Sequence, residues 1–130
     1  MGARNPFGHI DLRVRSFDDV MPFYENLLPD LGLSVTFHGG GWRVFATDAP
    51  FPDTAYLAIT EDPAHRPNAT RIAFFVEDPA EVDRLADVAR RAGAANVDGP
   101  RPMPYGPDYR AVYFDDPSGN RFEVYFRRAG

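Results

Sequence analysis

Cysteine is absent from the 130 residues, which removes disulfides, thiol nucleophiles and thiolate metal sites from consideration. No apolar run approaches the roughly 20 residues that a membrane-spanning helix needs, and the start does not read as a signal peptide. A soluble cytoplasmic protein is the expectation, with no membrane partner. Basic residues form no block: 14 basic against 19 acidic residues leave a formal net charge of −5, so nucleic acid is not an expected partner. A glycine-rich phosphate loop with lysine, a G-x-S-x-G elbow and an H-E-x-x-H helix are all missing. Hydrolysis through a serine nucleophile therefore has no support.

The chain is rich in material for a core, at 44% hydrophobic and 14% aromatic residues, and its length suits one domain or two small packed modules. Proline, at 13 residues, is used about twice as often as usual and falls mostly between periodic segments, where it stiffens loops. The stretch Gly106 to Phe126 (GPDYRAVYFDDPSGNRFEVYF) gives the strongest local signal. Two aromatic and β-branched runs flank Asp115-Asp116-Pro117-Ser118-Gly119-Asn120, in which Pro117 presets φ and Gly119 supplies a positive φ. This predicts a hairpin. Its second strand carries Glu123 between Phe122 and Val124, a carboxylate that must find a partner if half buried.

Taken in order, Met1 to Pro6 read as a loose lead-in. His9 to Val14 alternates, with Ile10, Leu12 and Val14 on one face and His9, Asp11 and Arg13 on the other. Ser16 and Asp19 resemble a capping box. Val20, Phe23, Tyr24, Leu27, Leu28 and Leu31 recur at helical spacing until Gly32, with Pro22 as a local conflict. Three short strands are predicted at Ser34 to His38, Trp42 to Thr47 and Thr54 to Thr60, followed by a polar linker at Glu61 to Ala69. The pattern then restarts. Arg71 to Val76 alternates like His9 to Val14, and Asp78, Pro79 and Glu81 open a helix whose apolar stripe (Val82, Leu85, Val88, Ala89, Ala92) ends at Gly93. Strands near Ala94 to Asp98, Tyr109 to Phe114 and Asn120 to Phe126 complete a second β-α-β-β-β series. Asp98 to Pro107 is too proline-rich to be regular and is read as a lid or a stiff surface loop.

The segments HIDLRVRSFDDVMPFYENLLPDLGL (9–33), RIAFFVEDPAEV (71–82) and YFDDPSGNRFEVYF (113–126), with the internal repeat, resemble the vicinal oxygen chelate superfamily, also called the glyoxalase/bleomycin-resistance/dioxygenase fold. The resemblance implies an α+β domain over residues 1–130. Two βαβββ modules, at about 7–62 and 70–127 with a linker at 63–69, would form a curved, open half-barrel with helices outside. It implies a homodimer, and a small molecule bound inside the groove. Enzymes of the superfamily typically hold one divalent metal there, on ligands from the first and last strands of paired modules. Carried onto this chain, those positions are His9 and Glu123. Arg71 stands where a second histidine is common, and laying Thr54 to Ile59 over Asn120 to Tyr125 puts Leu57 opposite Glu123. Leucine cannot bind a metal and a guanidinium repels one, so the set falls short of the usual three protein ligands unless Asp11 swings in.

Arg71 is instead the expected partner of Glu123, as an ion pair filling the vacated metal space; its alternative role is to anchor an anionic ligand such as a carboxylate or phosphate. Asp11 and Arg13 share the face of His9 and are ligand contacts or solvent-facing. The aromatics Trp42, Phe45, Phe75, Tyr105, Tyr109, Tyr113 and Tyr125 can line an apolar pocket with polar tips, Phe75 and Tyr125 on the faces of Arg71 and Glu123. His38 and His65 sit in turn-like, solvated contexts. Three readings follow: a metal-free groove binding an aromatic or anionic small molecule; a divalent-metal lyase, isomerase or dioxygenase; and a metal-free enzyme with His9 or Glu123 as base and Arg71 beside the oxyanion.

Overall fold

A computed structural model describes residues 5–130; of the expected lead-in, residues 1–4 lie outside the described residues. The elements are β1 (His9–Val14), α1 (Phe17–Leu27), a 3-10 turn (Leu28–Leu31), β2 (Val35–Gly39), β3 (Trp42–Ala46), β4 (Tyr56–Glu61), β5 (Arg71–Phe75), α2 (Pro79–Ala92), β6 (Ala95–Pro102), β7 (Arg110–Asp115) and β8 (Arg121–Phe126). They form two four-stranded sheets of order β1-β4-β3-β2 and β5-β8-β7-β6. Only β1–β4 and β5–β8 run parallel, each joined by the long crossover that parallel pairing demands. The same βαβββ unit thus occurs twice, and neither sheet closes on itself.

The two helices begin by different means. Asp78 caps α2, its carboxylate accepting from the Ala80 N–H at 2.8 Å, with Pro79 at the first position. Ser16 takes the extended cap conformation at α1 but its hydroxyl makes no capping bond; the Phe17 N–H donates to Glu61 Oε2 at 2.9 Å instead. α1 continues through Pro22. Both helical stretches end at a left-handed glycine, Gly32 and Gly93.

α1 and α2 pack on each other, and α2 lies against β6, β7 and β8. Between these layers Phe23, Tyr24, Leu27, Leu85, Phe45, Phe114, Phe122 and Val124 are fully buried; each large side chain contributes about 1.5–3 kcal/mol of burial. This one core spans both modules. No helix among the described residues is long and apolar enough to cross a membrane.

The predicted hairpin turn also holds the modules to each other. Asp116 is buried, accepting from the Ser118 and Asn120 N–H groups and from the Tyr24 hydroxyl of α1. Ser118 Oγ accepts from the Arg15 N–H, and Asn120 Nδ2 donates to the Arg13 carbonyl. Gly119 has φ +87°, and a Cβ there would lie 2.8 Å from Pro67 of the linker.

Two expectations change. Residues 98–102 are not loop: β6 extends through them against β7, with register shifts that absorb Gly99 and Pro100. Proline is tolerated because β6 is an edge strand. The alignment of Leu57 with Glu123 is one residue out. Leu57 pairs with Ile10 and Phe45 on the core face, while Ala58, paired with Asp11, occupies the place that Glu123, paired with Ala73, holds in the second module. Side chains alternate faces, so one residue of slippage exchanges groove for core.

Candidate functional site

Opposite the helices, each sheet presents an open face. On the first it carries His9, Asp11 and Arg13 of β1, Tyr56, Ala58 and Thr60 of β4, Trp42 and Val44 of β3, and Val35 and Phe37 of β2. On the second it carries Arg71, Ala73 and Phe75 of β5, Arg121, Glu123 and Tyr125 of β8, and Tyr113 of β7. The candidate residues therefore divide into two groups. His9, Asp11, Arg13 and Trp42 belong to the first sheet; Arg71, Phe75, Tyr113, Tyr125 and Glu123 belong to the second, with Tyr109 just ahead of β7.

In the second group Glu123 is 8% exposed, and its Oε2 accepts a 2.5 Å hydrogen bond from the Tyr109 hydroxyl. Tyr109 stacks on Tyr125 (5.1 Å, 6°) and meets Tyr105 edge-on (5.4 Å, 85°); Phe75 meets Tyr125 at 5.6 Å and 65°. Burial first, then the hydrogen bond to Glu123 and its charge, hold the Tyr109 phenol far above its ordinary range. Tyr113 moves the same way, through burial and then Glu123, with Arg101 and Arg71 opposing.

The ion pair expected between Arg71 and Glu123 is not formed. Glu123 stands opposite Ala73, whereas Arg71 stands opposite Arg121, two residues away along β8. The Arg71 guanidinium lies 4.9 Å from the Tyr113 ring centroid as a cation–π contact, and among the described residues it has no carboxylate partner. Arg71, Glu123, Tyr105 and Tyr113 line one cavity of about 270 Å³ with Asp98, Arg101 and Met103. Arg101 is already matched by Asp98 through bonds of 2.8 and 3.0 Å, which leaves Arg71 as the cation of this cavity with no ion pair among the described residues.

His9 is elsewhere. It stacks flat on Tyr56 (4.6 Å, 4°), with Nε2 3.6 Å from Asp11 Oδ1, and lines a separate apolar cavity of about 110 Å³ with Ile10, Leu57, Ile72 and Phe74. Within one chain, His9 and Glu123 line different cavities. No three histidine, aspartate or glutamate side chains converge among the described residues. The donor set does not fit a catalytic divalent ion: Arg71 and Ala58 occupy two of the four repeat-related positions, and neither supplies a ligand.

Sequence reading missed Tyr56, Asp98, Arg101 and Met103. Asp98 and Arg101 were hidden by the loop assignment of 98–107, since a strand there turns them toward the groove. His65, expected in solvent, has a buried Nε2 without a partner, and His38 lies edge-on to Phe45.

A protein-family model described as the Glyoxalase/Bleomycin resistance protein/Dioxygenase superfamily matches residues 7–124. The chain belongs to that superfamily. Solved structures agree on the fold. A glyoxalase/bleomycin resistance protein from Albidiferax ferrireducens T118 is 21% identical with a TM-score of 0.78, over 95% of this chain and 100% of that one. The fosfomycin resistance protein FosX from Listeria monocytogenes is 20% identical with a TM-score of 0.72, over 97% and 96%. The same protein was also solved with Mn(II) and a sulfate ion (20%, TM-score 0.70, 97% and 93%). No curated protein matches the sequence.

Proposed function

We propose that this superfamily member binds a small anionic molecule with an aromatic or otherwise flat body in the groove of its second module, without relying on a complete metal site. One observation carries the reading: Arg71 spreads over Tyr113 in an open cavity and makes no ion pair among the described residues. A permanent cation backed by aromatic rings suits a carboxylate or phosphate group. Glu123 has one oxygen engaged by Tyr109, which leaves the other to accept from a ligand hydroxyl or amine. The ligand class is thus an anion that also carries a hydrogen-bond donor, placed between Tyr105 and Tyr113.

Thermal-shift and calorimetric titration with a panel of hydroxylated aromatic carboxylates and phosphates, before and after EDTA treatment, tests this. A true ligand at 100 Kd stabilises by about 2.7 kcal/mol, insensitive to EDTA, and Arg71→Met weakens it about tenfold or more. Unchanged binding by Arg71→Met, or no stabilisation by any compound, overturns it. A requirement for Mn(II), the ion present in one FosX structure, would instead favour the reading as a metal-dependent lyase, isomerase or dioxygenase.

A cytoplasmic homodimer built from modules at about 7–62 and 70–127 is proposed on the same footing. It is supported by the exposed Val35, Phe37 and Trp42 on the open face of the first sheet. Sedimentation giving only monomer at micromolar concentration would exclude the dimer.

A further inference from the structure

A second cavity, of about 210 Å³, lies where β1 of the first module meets β5 and β8 of the second, beneath the linker. Its wall includes Arg13, Arg121, His65, Asn68, Thr70 and Asp11. Neither Arg13 nor Arg121 has a hydrogen-bond or ion-pair partner for its guanidinium among the described residues, although the chain has more acids than bases. Asp11, the acid in this wall, has Oδ1 3.6 Å from His9 Nε2. Asn68 uses Oδ1 to accept from the Thr70 N–H, so its amide NH2 stays available to donate.

Two buried polar atoms without a partner adjoin Arg13. His65 Nε2 belongs to the same cavity wall, and Thr60 Oγ1 is on the residue paired with Arg13 across β1 and β4. Orphaned buried polar atoms are uncommon in folded proteins and call for a partner. Donors outnumber acceptors here: two guanidinium forks and the Asn68 amide NH2 face the Asp11 carboxylate and the side-chain oxygen of Asn120. That surplus is what an oxyanion satisfies.

We propose that this inter-module cavity is an oxyanion site for a phosphate or carboxylate group, separate from the Arg71 cavity. Its position gives it a consequence the Arg71 cavity lacks. An anion held by Arg13 on one module and Arg121 on the other ties the modules together, so occupancy stabilises the domain as a whole.

The test is an amide NMR titration of the full chain with inorganic phosphate, with acetate in parallel and chloride at matched ionic strength as the reference. Saturable shifts at His65, Asn68, Thr70 and Arg121, absent in chloride, are expected. Arg13→Gln and Arg121→Gln, both at exposed positions, should each weaken binding about tenfold, whereas Arg71→Met leaves it unchanged. His65→Ala, which leaves both arginines in place, should weaken it less. A response to phosphate alone assigns a phosphate group, and an equal response to acetate assigns a carboxylate. Shifts no different from chloride, or binding abolished by Arg71→Met but indifferent to Arg13→Gln and Arg121→Gln, overturn the proposal. Because Arg71→Met separates the two cavities, failure here leaves the groove reading intact.

Discussion

In the first module the strands β1 and β4 set His9 beside Tyr56 and Asp11 beside Ala58; in the second, β5 and β8 set Arg71 beside Arg121 and Ala73 beside Glu123. The backbone is repeated but the charges are exchanged. The first module puts its carboxylate on β1, at the end of its sheet, where Asp11 is exposed. The second puts it on the inner strand β8, where Glu123 is buried and depends on Tyr109. The connections differ too. Residues 47–55 join β3 to β4 as a long loop with Phe51 exposed, whereas residues 116–120 join β7 to β8 tightly around Asp116. The second module has therefore taken over both the polar groove and the joint between modules. The first supplies an open face that is apolar along β2 and β3, and part of the shared core.

That asymmetry is most directly broken at the turns. Asp116→Ala strips acceptors from the Tyr24 hydroxyl and two backbone N–H groups, all buried or partly buried. A loss of about 3–5 kcal/mol is expected in urea unfolding. Asp48→Ala, in the looser loop of the first module, should change stability by less than about 0.5 kcal/mol. Comparable losses at both positions would show that the joint is not concentrated in the second module.

The same contact leaves a signature at high pH. Burial, then the charge of Asp116, raises the Tyr24 phenol well above 10, and Tyr109 shifts the same way. Raised phenols favour the neutral form in the fold, so their contribution is fully present below about pH 10 and is lost as pH climbs toward the folded-state values. Stability should fall steadily above pH 10, and absorbance at 295 nm should show tyrosines that ionise only on unfolding. Tyr24→Phe should flatten that decline. A decline unaltered by this substitution would place its origin elsewhere.

Gly119 and Gly41 sharpen the comparison at a smaller scale. Both have positive φ, +87° and +81°, but a Cβ at 119 would press on Pro67 while one at 41 meets open space. Gly41→Ala should cost about 1 kcal/mol of backbone strain alone, and Gly119→Ala about 2–3 kcal/mol. Equal costs would mean that the linker gives way freely and does not brace the turn.

These residues also indicate how far sequence could reach. Strand and helix positions were legible because periodicity is local: His9 to Val14 and Arg71 to Val76 alternate, and Gly32 and Gly93 end their helices as expected. The internal repeat made the two-module architecture readable. The pairing inside the groove was not, because it depends on register. Arg71 and Glu123 lie on neighbouring strands, yet a two-residue offset gives Arg71 to Tyr113 and Glu123 to Tyr109. Arg101 stayed hidden for a related reason: proline suggests loop, and only the edge position of β6 makes Pro100 and Pro102 compatible with a strand.

The smallest test compares the helix starts. Sequence offers a capping residue before each helix, Ser16 and Asp78, but only Asp78 makes the bond. The Phe17 N–H that opens α1 is served across the module by Glu61 at the end of β4. Asp78→Ala should therefore cost about 1 kcal/mol in urea unfolding and Ser16→Ala a few tenths at most. Glu61→Gln should fall between them, since a neutral amide oxygen still accepts from Phe17 while the negative charge near the helix start is lost. If Ser16→Ala instead matched Asp78→Ala, the serine would be capping α1 in solution and the long-range carboxylate would be redundant. A loss confined to Glu61→Gln would show a helix started by a partner 44 residues along the chain rather than by its own flanking residue.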